Sequence, residues 1–280
     1  MGTARLHDGA TLDVEVQGAG PALLLPVSAA IPDEATQQQL TAWGGDPTLG
    51  HSLAAGLAAA GHRVITADYE GHLAAHPKPG TLTADALAAD LLAIADAAGA
   101  DRFGYYGYSW LALAGLQLAI RTDRISALAM GGFPPLGGPY AAMLTVTRAS
   151  HREALANAAV PPEPVEVEPG DWDGAPALQA PELVRQYVTL YESLADFDER
   201  AALGGLDVPR LAFAGVADEI VYGPRWDDAV VTIGPALAAN RDELTELGWS
   251  VELVPGDHLS AMHAARVLPI LTGWLARLPA

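Results

Sequence analysis

Short apolar runs alternate with longer stretches of helical periodicity along most of this 280-residue chain. Arg5-Leu6-His7 and Thr11-Leu12-Asp13-Val14-Glu15-Val16, split by Asp8-Gly9, predict a β-hairpin. Pro21-Ala22-Leu23-Leu24-Leu25-Pro26-Val27 is continuously apolar, as a central strand buried on both faces would be. A polar stretch from Ser28 to Gly50 separates it from an Ala/Leu helix near Leu53–Ala60 and a strand at Arg63–Ala67. From about Thr83 to Ala98, Leu87, Leu91, Ile94 and Ala98 fall on one helical face. Further strand patterns begin at Phe103, at Ile125-Ser126-Ala127-Leu128-Ala129-Met130, at Arg210-Leu211-Ala212-Phe213-Ala214 and at Ser250-Val251-Glu252-Leu253-Val254. Helices are expected around Pro235–Leu247 and Ser260–Leu278. The alternation predicts an α/β fold, with a mostly parallel central sheet and helices on both faces.

The rhythm breaks between Pro134 and Asp207. Two helical stretches, about Tyr140–Ala159 and Pro181–Leu203, flank a connector containing Pro161-Pro162-Glu163-Pro164 and Glu168-Pro169-Gly170. No strand pattern occurs there. The reading is a helical cap over 134–207 inserted into a core domain made of 1–133 and 208–280.

One junction carries most of the chemical information. In Phe103-Gly104-Tyr105-Tyr106-Gly107-Tyr108-Ser109-Trp110-Leu111-Ala112, an aromatic strand passes into an Ala/Leu helix with no ordinary loop between. A serine on so tight a turn is pushed out at the carboxyl edge of the sheet, in front of the free N–H groups of a helix N-terminus. The plainer role for such a serine is an N-cap.

Composition narrows the partners. With 34 acidic against 15 basic residues the net charge is −19, which disfavours nucleic acid and anionic membranes and leaves a small, neutral substrate as the expected partner. There are no cysteines, so thiolate chemistry and disulfides are excluded. The eight histidines show no ligand spacing, and neither a metal nor a cofactor is expected. The chain begins without an apolar signal segment and has no membrane-length apolar run, which predicts a cytoplasmic protein; a homodimer is compatible with the sequence.

Taken in this order, the elements resemble the α/β-hydrolase superfamily over nearly the whole chain. Gly107-Tyr108-Ser109 is similar to its nucleophile elbow, and the 134–207 insertion sits where that family carries a lid. Ala214-Gly215-Val216-Ala217-Asp218 follows a buried strand where the family holds its acid, and Pro255-Gly256-Asp257-His258 follows the last strand where it holds its histidine. The resemblance implies Ser109 as nucleophile, His258 as its base, Asp218 as the residue orienting His258, and the Trp110 N–H as one oxyanion donor. The second donor belongs to the loop after the third strand, here Val27, Ser28 or a later residue, since Pro26 has no N–H. Glu219, Asp227 or Asp228 compete with Asp218, and His263 competes with His258 but is expected inside the last helix.

The chain departs from the family pattern in three places. Leu111 replaces the second elbow glycine, Pro26-Val27 replaces His-Gly after the third strand, and Leu73 follows Asp68-Tyr69-Glu70-Gly71-His72 where a glycine is usual. The expected activity is carboxylesterase-like: cleavage of an ester, thioester or lactone through an acyl-enzyme on Ser109. The alternatives are a C–C bond hydrolase, lyase or acyltransferase using the same triad, or a ligand-binding homologue with little turnover. Trp110, Tyr108, Tyr140 and Tyr187 are the candidate substrate contacts. Met143 and Tyr191 share the apolar cap face with Tyr140 and Tyr187, and the Ser28–Gly50 segment is expected to shape the pocket mouth.

Overall fold

The computed structural model describes residues 2–159, 171–172 and 180–278. Ten strands form two sheets. Strands β1 (Gly2–Arg5), β2 (Thr11–Gln17), β3 (Ala22–Leu25), β4 (Arg63–Thr66), β5 (Phe103–Tyr108), β6 (Ile125–Gly131), β7 (Arg210–Gly215) and β10 (Trp249–Val254) make the large one. Its order is β1-β2-β4-β3-β5-β6-β7-β10; β1 and β2 are antiparallel to each other and β2 to β4, and every other pairing is parallel. Strands β8 (Glu219–Val221) and β9 (Val230–Thr232) pair separately.

The alternation of side chains explains the layers. On one face Leu24, Ile65, Tyr105, Leu128 and Met130 meet α4 (Ala84–Ala97) and α5 (Trp110–Ala119). On the other, Leu23, Leu25, Tyr106, Leu211 and Phe213 meet α2 (Leu49–Ala59) and α12 (Ala264–Leu275). All six residues of β5 are buried, as befits the strand that leads to Ser109.

Several boundaries differ from the sequence reading. The Ser28–Gly50 segment contains a polar, solvent-facing helix, α1 (Glu34–Ala42), capped by Asp33; with no buried residue it has no apolar face to announce it. Asp68 caps a further helix, α3 (Tyr69–Ala75), within what reads as a turn. The 235–247 helix breaks at Asn240 into α9 (Gly234–Ala239) and α10 (Arg241–Glu246). The last one breaks at His263 into α11 (His258–Met262) and α12, so His263 is an extended residue between helices, its Nε2 2.8 Å from the Gly44 carbonyl.

Between β6 and β7 lie α6 (Tyr140–Asn157), α7 (Pro181–Glu192) and α8 (Glu199–Leu203). The Pro161-Pro162-Glu163-Pro164 and Glu168-Pro169-Gly170 connectors fall outside the described residues. Helix α7 is fastened by polar side chains on its inner face. The Lys78 N–H donates to Gln186 Oε1 (3.0 Å), the Gly80 N–H to Thr189 Oγ1 (3.1 Å) and the Ala84 N–H to Ser193 Oγ (3.1 Å). Gln186 is fully buried, and its amide also donates to the Leu73 carbonyl. These groups satisfy backbone donors that the turn before α4 leaves open. Nearby, Asp90 is fully buried and accepts from the Tyr69 hydroxyl (2.8 Å) and the His7 N–H (2.6 Å), with the Lys78 ammonium 3.8 Å away.

Gln186→Leu keeps the bulk but leaves the Lys78 N–H and the Leu73 carbonyl without that partner. The expected loss of stability is about 1–3 kcal/mol in urea denaturation, with Tyr187→Phe on the same helix as a comparison that removes neither bond.

Candidate active site

The site starts from the backbone. Ser109 sits at φ 56°, ψ −132°, a conformation that L-residues avoid. It is held from both sides. Its N–H donates to the Gly131 carbonyl (2.8 Å), while its own carbonyl accepts from Ala112 (2.9 Å) and Leu113 (3.3 Å). The Trp110 N–H has no acceptor among the described residues, as the first donor of a helix should not. Gly107 is required at the strand end, because a Cβ there would stand 2.2 Å from the Leu111 carbonyl oxygen. Leu111 needs no such allowance. Its side chain is buried in the core, and its carbonyl accepts from the Tyr105 hydroxyl (2.8 Å).

Two further loops meet in front of Ser109. The Val216 N–H donates to the Val254 carbonyl (2.8 Å) and the Ala217 N–H to that of Gly256 (3.0 Å), so the ends of β7 and β10 are laced together. Gly215 permits this approach, since a Cβ would lie 2.3 Å from the Gly256 oxygen. The lacing brings Asp218, fully buried, to His258: Nδ1 lies 3.0 and 2.9 Å from the two carboxylate oxygens. The Asp218 carbonyl accepts from Ile233 (3.0 Å) and Gly234 (2.8 Å), which fixes the loop. His258 starts α11, where Asp257 and Ser260 form a reciprocal cap, and the Tyr108 hydroxyl donates to the His258 carbonyl (2.8 Å).

Ser109 and His258 open on one cavity of about 400 Å³. Its walls are almost wholly apolar: Trp110, Phe133, Met143, Trp172, Ile220, Val231 and Ile233, with Tyr187, Tyr191 and Tyr222. No hydrogen bond joins Ser109 to His258 among the described residues, a looseness common in sites without substrate. Trp172 packs edge-on against His258 at 6.3 Å, and Tyr187 edge-on against Trp110 at 5.4 Å. Indole Nε1 of Trp110 donates to Glu70 Oε1 (2.7 Å). The Glu70 side chain keeps solvent contact while neighbouring atoms crowd its carboxyl. Burial pushes its pKa up, the Trp110 bond opposes this, and the Asp68 charge adds to it.

The alternatives to the leading residues are placed elsewhere. Asp227 and Asp228 form a left-handed turn, with Asp227 paired to Arg152 of the cap (2.7 Å), and Glu219 accepts from Thr232 (3.2 Å). Of the expected substrate contacts, Trp110 and Tyr187 line the cavity, whereas Tyr108 and Tyr140 do not. Tyr108 lies under His258, ring to ring at 5.2 Å; Tyr140 packs between Phe133 and Phe197. The loop after β3 is also corrected. The Val27 N–H is taken by the Leu25 carbonyl (2.8 Å), so Val27 offers no free donor. The Ser28 N–H has no acceptor among the described residues, and Val27 and Ser28 both border a neighbouring polar cavity with Asp68 and His72. The Ser28–Gly50 segment lines the Ser109 cavity with none of its residues, but Trp43 backs Trp172 at 6.0 Å. Glu70, Trp172 and Tyr222 escape the sequence reading because each comes from a loop or a short helix without periodicity.

Hydrogen bonds from the Ser260 hydroxyl and N–H hold the Asp257 carboxyl below its ordinary 3.8. A lowered carboxyl contributes stability above its unfolded value and loses it as the pH falls through its folded one. Asp257→Ala is expected to cost about 1 kcal/mol at neutral pH. The difference from the unaltered protein in chemical denaturation should shrink as the pH is taken below 3.8.

Among the described residues no helix is long and apolar enough to cross a membrane, and no three histidine or carboxylate side chains gather as a metal site would need. A family model described as the alpha/beta hydrolase fold matches residues 40–143. No curated protein sequence matches the chain. Among solved structures, the enol-lactonase from Burkholderia xenovorans LB400 is similar at 20% identity and TM-score 0.59, over 98% of this chain and 100% of that one. AqDC, in a structure concerned with recognition and ring-cleavage of the Pseudomonas quinolone signal, has 16% identity and TM-score 0.60, over 99% and 100%. Epoxide hydrolase VrEH1 from Vigna radiata has 15% identity and TM-score 0.56, over 99% and 97%. The strand order, the elbow and these matches together make the chain an α/β-hydrolase-fold protein.

Proposed function

We propose that the protein is a serine hydrolase that cleaves a neutral ester, thioester or lactone through an acyl-enzyme on Ser109. The observation that carries this reading is the His258–Asp218 pair, bonded at 2.9 and 3.0 Å, opening on the same cavity as a serine held in a strained turn. A serine hydroxyl attacks a carbonyl only if a base takes its proton, and among the described residues the imidazole that lines the cavity is that of His258. Asp218 fixes the Nδ1–H tautomer, leaves Nε2 to accept the proton, and stabilises the imidazolium that forms. The tetrahedral oxyanion is held by the Trp110 N–H and by the Ser28 N–H, which takes over from Val27. His258 then returns the proton to the leaving group, and water repeats the sequence to release the acid.

The neutral substrate follows from the walls. Among the described residues no Lys or Arg lines the cavity, so a carboxylate there would be desolvated without a partner. The enol-lactonase among the similar structures acts, by its name, on a cyclic ester, which is the reaction class drawn here.

Purified protein treated with a fluorophosphonate probe is expected to be labelled, and p-nitrophenyl esters to be turned over. Ser109→Ala should abolish both, and Asp218→Asn should lower kcat by about 10³–10⁴-fold with the fold intact. Labelling that survives Ser109→Ala removes the nucleophile assignment. An unaltered protein that is neither labelled nor active is a binding protein on this scaffold.

A further inference from the structure

The chain has eight tyrosines, and their hydroxyls divide by surroundings. Three are satisfied by protein: Tyr69 donates to Asp90, Tyr105 to the Leu111 carbonyl and Tyr108 to the His258 carbonyl. Tyr106 and Tyr140 have no hydrogen-bond partner among the described residues, but their oxygens are sealed from solvent. The remaining three, Tyr187, Tyr191 and Tyr222, line the cavity of Ser109, and none of their hydroxyls makes a hydrogen bond among the described residues or is sealed off. Tyr191 is 2% exposed and lines this cavity. A phenol placed in an apolar enclosure without a partner is a net cost that phenylalanine would avoid.

We propose that Tyr187, Tyr191 and Tyr222 form a donor subsite on the cap side of the cavity. It takes a neutral oxygen acceptor, such as a ketone, ester or lactone carbonyl, carried by the acyl group several atoms from the carbonyl that Ser109 attacks. Tyr187 and Tyr191 stand one turn apart on α7, and Tyr187 rests on Trp110, directly beside the nucleophile. Tyr222 follows β8 and is fixed edge-on by Trp226 at 6.2 Å. The hydroxyls are donors throughout the neutral range. Burial pushes Tyr187 and Tyr191 well up, reinforced for Tyr187 by Glu70 and for Tyr191 by Tyr187 and Tyr222, and burial pushes Tyr222 up to about 12. The acceptor is neutral because the described lining has no cation and the Glu70 charge acts on Tyr187. Trp110, Phe133, Met143 and Trp172 then clasp the apolar body between the two ends.

This subsite rests on the hydrolase reading, and its test separates the two. Three p-nitrophenyl esters are compared: 3-phenylpropanoate, its 4-acetylphenyl analogue and its 4-carboxyphenyl analogue. The unaltered protein is expected to favour the acetyl ester over the parent in kcat/KM by about three- to tenfold, and over the carboxylate by at least as much. In Tyr191→Phe and Tyr222→Phe that acetyl-to-parent ratio should fall towards one. Fluorophosphonate labelling of the same variants reports Ser109 by itself. If no ester is turned over, the hydrolase reading has failed. The subsite is then read from binding of the acetyl and parent esters to Ser109→Ala protein, followed by calorimetry, with the same ratio expected. A ratio near one in the unaltered protein, a ratio untouched by both Tyr→Phe changes, or a preference for the carboxylate overturns the proposal.

Discussion

One unfavourable backbone conformation organises this molecule. At φ 56° and ψ −132° Ser109 costs about 1–3 kcal/mol relative to an ordinary residue. The turn persists because it is over-determined. Strand β6 takes the Ser109 N–H, helix α5 closes two bonds on its carbonyl, and Tyr105 holds the next turn through the Leu111 carbonyl. Gly107 lets that turn of helix ride directly on the strand end. Each restraint comes from a buried part of the central sheet or from the helix it feeds, so the strain is borne by the core. What it yields is a hydroxyl aimed away from the sheet, with the unbonded Trp110 N–H beside it.

The rest of the site is an assembly of strand ends around that turn, and this is why so much of it was legible in sequence. Ser109 and Asp218 follow runs that mark buried strands, His258 follows the alternating strand at the end of the sheet order, and the carboxyl ends of these parallel strands meet at one edge. What sequence did not reveal has a common cause too. Helices α1 and α3 are short and capped by aspartates, with few or no buried positions to give a period. The β8–β9 pair is three residues a side. Tyr222 and Trp172 reach the cavity from segments that follow no repeat. Tyr140 illustrates the opposite error: it shares a helical face with Met143, but a face can turn towards Phe133 and Phe197 as readily as towards a ligand.

The helices between β6 and β7 are attached unequally to the rest of the molecule. Along α7 and at its C-cap, Gln186, Thr189 and Ser193 bond to core backbone groups, Gln186 out of reach of water, where a hydrogen bond is costly to break, and the other two at part-buried sites. On α6 the ties to the turn after β8 are charge pairs, Arg152 to Asp227 and Glu153 to Arg225, with Arg152 and Asp227 about half exposed. Exposed pairs of this kind contribute about 0–1 kcal/mol and weaken with salt. Tyr187 and Tyr191 therefore stand on the firmly held wall of the cavity. Met143 and Thr147 stand on the other, whose outer ties are the ones that ionic strength can loosen.

The departures from the family pattern now separate by physical consequence. Leu111 is silent, because only the Gly107 position lies within van der Waals reach of backbone; a side chain two residues after Ser109 points into the core. Pro26 is not silent. It removes one N–H from the loop after β3, and the next, that of Val27, is folded back on Leu25. On the proposed mechanism Ser28 is left to supply the second oxyanion donor, beside a polar cavity that also touches Asp68 and His72. On the proposed reading the substrate is also held by an aromatic cavity that the Tyr187, Tyr191 and Tyr222 side chains line.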